Sequence, residues 1–216
     1  MARNKYPEET VEKILTVAMR LFLEKGYEKT TIQDIVDQLG GLTKGAVYHH
    51  FKSKEEIMDA VTEKMFWDND PFEKVRGRED LTGLEKMKEV IRLTQEPDWS
   101  SLARQSMPIL KNPKLLAKCI EDNQRIATPR WLALIEEGMA DGSIRTEYPR
   151  EAAELLTLLD TVWMAPTIFP ATREEVLHKF RCVGEIFANL GVPIIDEEML
   201  ELADKYFQLV PPEFME

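Results

Sequence analysis

The sequence predicts an all-α fold in two parts: a head of three short helices plus a connecting helix within residues 1–67, and a larger helical body over residues 68–216. Two observations carry the class. Apolar residues recur at spacings of three and four along nearly the whole chain, and no alternating run is bounded by hairpin turns. A third sets the division: Asp68 to Asp80, with Asn69, Pro71 and Gly77, is polar and interrupts the helical period.

The first helix opens near Pro7, whose fixed φ suits a first helical position, with Glu8 and Glu9 where the helix dipole favours acids. Val11, Ile14, Leu15, Ala18, Leu21 and Phe22 form its apolar face, and Gly26 stops it. The second starts at Thr30-Thr31, where a hydroxyl caps free amides and Gln33 or Asp34 completes a capping box; it ends at Gly40-Gly41. Thr43 caps a third that runs to about His50, and Ser53, with Glu56 three residues on, caps a fourth that continues towards Trp67. In the body the period predicts helices near 82–95, 100–107, 113–139 with a kink at Pro129, 149–164, 172–190 and 196–209.

Composition excludes several classes. The 216 residues carry a net charge of −11, and no apolar run approaches the roughly 20 residues that span a bilayer. With no apolar core of a secretion signal at the N-terminus, a soluble, cytoplasmic protein without membrane association is expected. Cys119 and Cys182 stand far apart without ligand spacing and are expected to be small buried residues, so no disulfide, metal or other cofactor is foreseen. The three histidines are His49, His50 and His178, too little material for a histidine-based metal or catalytic site.

Charge is uneven along the chain. Residues 1–54 hold nine Lys/Arg against seven acids, a balance of +2, which leaves −13 for the rest. Gly40 to Lys54 contains three lysines, two histidines and no acid. A small basic face on an acidic body binds nucleic acid with one end and repels it with the other. Two helices joined by a short glycine turn, the second short and polar-tipped, are the sequence form of a helix-turn-helix.

Lys44 and Lys54 each follow a capping hydroxyl, Thr43 and Ser53, and so stand in the first turn of a helix, where the dipole disfavours a cation. A phosphate gripped by the lysine and by the amides of that turn reverses the sign. Solvated surface lysines are the plain alternative. Gly45 and Ala46 are small enough to let a helix approach base edges, and the Ala46 methyl suits a thymine methyl, unless both merely pack the turn. Val47 and Phe51 have core spacing, and Tyr48 offers its hydroxyl to phosphate. His49 and His50 point about 100° apart, so one is expected to face DNA and the other to pack or cap.

These residues resemble the TetR family of bacterial transcriptional regulators over about residues 7–60, in the order Leu21-Phe22 through Gly26-Tyr27, Thr30 to Ile35, and Thr43 to Glu55. The turn Leu39-Gly40-Gly41-Leu42-Thr43 is one residue longer than the family's usual form. The resemblance implies DNA contacts at Thr31 and Gln33 on the second helix, at Thr43, Lys44, Gly45, Ala46, Tyr48 and His49 on the third, and at Lys54 on the fourth. It also implies double-stranded DNA with a near-palindromic operator as partner, a homodimer, and a helical ligand-binding and dimerisation domain that takes a small-molecule inducer.

For pairing, the body offers the stripes Leu155, Leu159 and Val162, and Val176, Phe180, Val183 and Phe187, with intrachain core as the alternative. For a ligand it offers Trp67, Met87, Met107, Asn123, Trp131 and Trp163, bulky apolar surface with one amide, as a mostly apolar cavity needs; each is equally a core position. The function expected is a sequence-specific DNA-binding repressor released by an inducer. An enzyme or small-molecule carrier using the body's cavity is the competing class, and no Ser/His/acid or Cys/His set lies on neighbouring faces to supply the chemistry.

Overall fold

The computed structural model describes residues 7–68, 70–95, 100–101, 104, 110–111 and 113–210. Helices and no strand occur among them. The chain forms two compact units, Met1–Asp70 with Pro97–Ser106, and Pro71–Glu96 with Met107–Glu216.

The head contains α1 (Pro7–Lys25), α2 (Ile32–Asp37), α3 (Lys44–His50) and α4 (Lys54–Asp68). Ile14, Ala18, Leu21 and Phe22 of α1 are buried, α1 packs on α4, and α2 packs on α3. Ile57, Met58 and Val61 of α4 are buried, and Phe22 meets Tyr27 edge-on at 5.4 Å. Burying side chains of this size contributes about 1.5–3 kcal/mol each. The adjacent threonines divide the work between two helices. Buried Thr30 donates its hydroxyl to the carbonyls of Gly26 (2.9 Å) and Leu21 (3.2 Å) at the end of α1. Thr31 caps α2.

The body begins one helix earlier than the sequence period indicates. Pro71–Arg76 forms α5, where Val75 is 1% exposed and Phe72 meets Trp131 edge-on at 4.8 Å. Next come α6 (Gly83–Leu93) and α7 (Pro113–Asp122). The helix expected over 100–107 falls largely outside the described residues. The kink expected at Pro129 takes another form. Residues Asn123–Ala127 make a π-helical turn before α8 (Thr128–Asp141), with the Thr128 amide donating to the carbonyl of Asn123 five residues back. Pro129 has no N–H for the carbonyl of Arg125 and its ring crowds that carbonyl, so the turn before it widens. The next helix, α9 (Pro149–Leu158), also ends in a π-helical turn, Leu159–Trp163, closed by the Met164 amide on the Leu159 carbonyl at 2.9 Å.

Finally α10 (Arg173–Asn189) and α11 (Glu197–Gln208) pack together, each behind its own N-cap, Thr172 and Asp196. The body core joins Met87 and Val90 of α6, Leu134 and Ile135 of α8, Ala152 and Ala153 of α9, Val176, Val183 and Phe187 of α10, and Phe207 of α11. Helices α6 and α8 approach backbone to backbone: a Cβ on Gly83 would stand 2.2 Å from the Gly138 nitrogen. Beside this contact the buried ammonium of Lys86 pairs with Glu137.

Candidate nucleic-acid interface

Capping fixes both helices of the head's second half. At α2 the Asp34 amide donates to Thr31 Oγ1 (3.1 Å), while the Thr31 amide (2.8 Å) and hydroxyl (2.7 Å) donate to Asp34 Oδ2. Asp34 completes the box, and Gln33 instead donates to Asp37 at 2.8 Å. The Thr31 hydroxyl and the Lys25 ammonium hold the Asp34 carboxyl well below the usual carboxylate range. Since the single Thr31 hydroxyl hydrogen is given to Asp34, phosphate can reach it only by displacing that bond. At α3 the Thr43 hydroxyl accepts from the Ala46 amide at 3.2 Å and keeps its own hydrogen to donate.

The turn between α2 and α3 accounts for the extra glycine. Gly40 has φ +60° and Gly41 φ +106°, and a Cβ at either would meet nothing within 4 Å. The added residue is therefore absorbed by a second backbone conformation with positive φ, which glycine alone adopts cheaply.

On α3, Lys44, Gly45, Tyr48 and His49 are exposed, as is the cap Thr43; Ala46 and His50 are half-buried, and Val47 and Phe51 are buried. At 100° per residue the four exposed positions share one sector of about 140°. Lys44 lies over the Tyr48 ring at 5.9 Å. His49 faces out and contacts the more covered His50 edge-on, with ring centroids 5.2 Å apart.

Lys54 departs from expectation. Its ammonium donates to the Tyr27 carbonyl at 2.9 Å and lies 4.2 Å from the Tyr27 ring centre, so it straps the start of α4 to the loop after α1. Burial of Tyr27, then the charges of Glu55 and Glu28, push its phenol upwards. Ser53 caps α4 through the Glu56 amide (3.2 Å), and Glu56 reaches back to the Lys52 amide (2.7 Å). Lys54→Ala is therefore expected to act twice. Melting temperature falls, and all duplexes bind about 3–10-fold more weakly, with the salt slope reduced by about one per subunit in an anisotropy titration.

Two capped helices around a tight glycine turn, with the second helix exposing lysine, tyrosine, histidine and small residues, form a helix-turn-helix. Residues 14–61 match the model for bacterial regulatory proteins of the tetR family. Over these residues the head is similar to the DNA-binding domain of the TetR family. The chain is 29% identical over 166 residues to the HTH-type transcriptional repressor KstR2 of Rhodococcus jostii, covering 70% of this chain and 76% of that protein. To the repressor of the same name from Mycolicibacterium smegmatis it is 27% identical over 190 residues, covering 82% and 89%. A transcriptional regulator from Cytophaga hutchinsonii shares the fold with a TM-score of 0.58 at 21% identity, over 96% of this chain and 97% of that one.

The body residues divide differently from expectation. Val176 and Phe187 have no exposed surface and Val183 has 5%, all within the core of their own chain, so they leave nothing for a partner subunit to touch. Leu155, Leu159, Val162 and Phe180 are half-buried. On α9 and α10 the large apolar side chains that face outward are Leu158 (51% exposed) and Ile186 (37%). Cys182 is exposed and Cys119 half-buried, because both fall outside the buried stripes of their helices.

Of the ligand candidates, Met87 is fully buried in the core and offers a ligand no surface. Met107 lies outside the described residues. Trp67 belongs to the first unit and is 46% exposed. Trp131 packs on Phe72. Asn123 donates to Thr161 Oγ1 at 2.6 Å, which joins the two π-helical turns, and Trp163 stands half-buried in the second of them. A groove of about 700 Å³ lined by Lys118, Glu121, Asp122, Gln124, Arg125 and Pro129 contains none of these candidates. Its charges pair among themselves, Asp122 with Lys118 (2.7 Å) and with Arg125 (2.9 Å).

Proposed function

We propose that the protein is a dimeric repressor that lays α3 of each subunit into successive major grooves of a near-palindromic operator and leaves it when a small molecule binds in the body. The observation that carries this is the sorting of α3: Lys44, Gly45, Tyr48 and His49 outward, Val47 and Phe51 inward. The KstR2 relatives, named as repressors, support the direction of the response. Lys44 and the amides of its turn hold phosphate, Gly45 and Ala46 let the backbone approach the bases, and Tyr48, His49 and the Thr43 hydroxyl supply polar contacts, with Gln33 on α2 reaching the flanking strand. An inducer moves the equilibrium only by preferring the state that does not fit the operator.

Selecting bound genomic fragments and then measuring affinity against salt tests the reading. A defined palindrome is expected to bind in the nanomolar range with a steep loss at higher salt; random duplex binding equally well would remove the proposal.

For pairing, the exposed apolar positions on α9 and α10 replace the buried ones. Leu158→Glu is expected to shift the protein from dimer to monomer by sedimentation and to weaken operator binding by at least tenfold. An unchanged dimer would place the interface elsewhere.

A further inference from the structure

Free cysteine usually packs inside a protein, yet Cys182 stands exposed on α10 as a free thiol. An imidazole shares its face. His178 lies one turn earlier and is also exposed, and at 100° per residue the two side chains leave the helix about 40° apart. Positions i and i+4 hold their Cβ atoms about 5–6 Å apart, the spacing at which two side chains of one helix converge on a zinc ion. Thiolate sulfur and imidazole nitrogen are donors that suit zinc rather than magnesium or calcium.

Neither group is engaged elsewhere. Arg173, Glu175 and Lys179 of the same helix are bonded within the chain, to Asp204 (2.6 Å), the Thr172 amide (2.7 Å) and the Phe169 carbonyl (3.2 Å). His178 and Cys182 make no hydrogen bond or ion pair among the described residues. Exposed Glu174 and Glu185 stand one turn beyond them on either side, with Arg181 between, so the surrounding surface has a small excess of negative charge.

Two ligands do not close a site. Structural zinc takes four, and among the described residues no group of three or more His, Cys, Asp or Glu gathers around a possible ion. A second copy of the chain supplies the rest. Ile186, which faces outward, continues the row one turn past Cys182, so that His178, Cys182 and Ile186 at i, i+4 and i+8 share a sector of about 80°. Rows of this spacing are the ridges that interlock when two helices pack. Two-fold pairing sets the same surface patch of one subunit against that of the other, which brings together two thiols and two imidazoles, the Cys₂His₂ set of a structural zinc site.

We propose that the protein binds one zinc ion per dimer through His178 and Cys182 of both subunits, tying α10 to its copy. This rests on the pairing through the outward faces of α9 and α10 described above and gives that pairing a metal. Each Cys182 releases its thiol proton to solvent as the ion binds. Both side chains are exposed, so their substitution leaves the core of the body intact.

Titration of the untagged full chain, stripped with chelator and kept reduced, with zinc and with cobalt(II) tests the site. The expected result is one metal per two chains and a cobalt spectrum with a thiolate charge-transfer band and the strong visible bands of a tetrahedral ion. Zinc is expected to tighten the dimer by about tenfold or more in sedimentation. Cys182→Ser and His178→Ala are each expected to weaken zinc binding by about a hundredfold or more, and Cys119→Ser to leave it unchanged. The inference is overturned if zinc is not taken up at micromolar concentration, if each chain binds its own ion, if cobalt shows no thiolate band, or if uptake survives Cys182→Ser or is lost in Cys119→Ser. A dimer that takes up no zinc removes this inference alone, whereas a chain that stays monomeric with and without zinc removes the pairing reading as well.

Discussion

Lys44→Glu is expected to weaken operator binding by about a hundredfold or more while leaving the melting temperature unchanged or slightly higher. The two effects have opposite signs for one physical reason. Lys44 is exposed at the N-terminal end of α3, where its neighbour is the Tyr48 ring and no acid pairs with it among the described residues. In the free protein a cation there opposes the helix dipole, so glutamate is favourable by a few tenths of a kcal/mol. In the proposed dimer on its operator the lysine supplies a phosphate contact in each subunit. Losing two contacts at about 1.4 kcal/mol each gives a hundredfold, and the repulsion of two added acids lowers affinity further. Anisotropy with the selected operator, alongside a thermal melt, checks both halves. Binding within threefold of wild type would take the start of α3 out of the interface.

The same contrast between stability and recognition governs how much could be read from the sequence. Caps were legible because they depend on neighbours three residues away: Thr31, Thr43 and Thr172 stand as N-caps. Between Gln33 and Asp34 the sequence left the box open, and the structure chooses Asp34, whose short carboxylate reaches both the amide and the hydroxyl of Thr31. Helix α5 was missed because six residues give one and a half turns, too few for a period to show against Pro71 and Gly77. The π-helical turns were missed because a bond to the fifth residue back differs from an α-helical one by a single position. An apolar stripe states only that something covers it. For Val176, Val183 and Phe187 that cover is their own chain.

Gly191→Ala is expected to cost the body about 3–4 kcal/mol, which for a unit of this size lowers its melting temperature by roughly 10 °C. Gly191 ends α10 in a Schellman arrangement: its amide donates to the Ala188 carbonyl (3.0 Å) and the Val192 amide to that of Phe187 (2.8 Å). Phe187 and Val192 are both fully buried, so this turn sets the direction in which the chain leaves the core. Two costs add. At φ +81° an alanine bears the left-handed penalty of about 1–2 kcal/mol. Its Cβ would also stand 1.7 Å from the Arg145 carbonyl oxygen, on a strand of chain held to Gly191 by the Arg145 amide at 3.0 Å, and backbone cannot swing aside as a side-chain tip can. Gly142 separates the two terms, since at φ +84° it has nothing within 4 Å of a Cβ. Gly142→Ala should therefore show the conformational penalty alone, about 1–2 kcal/mol by thermal or urea unfolding. Equal losses at the two glycines would mean that the crossing at Arg145 carries no strain. A larger loss at Gly191 measures how firmly that crossing fixes the end of α10 against the turn before α9.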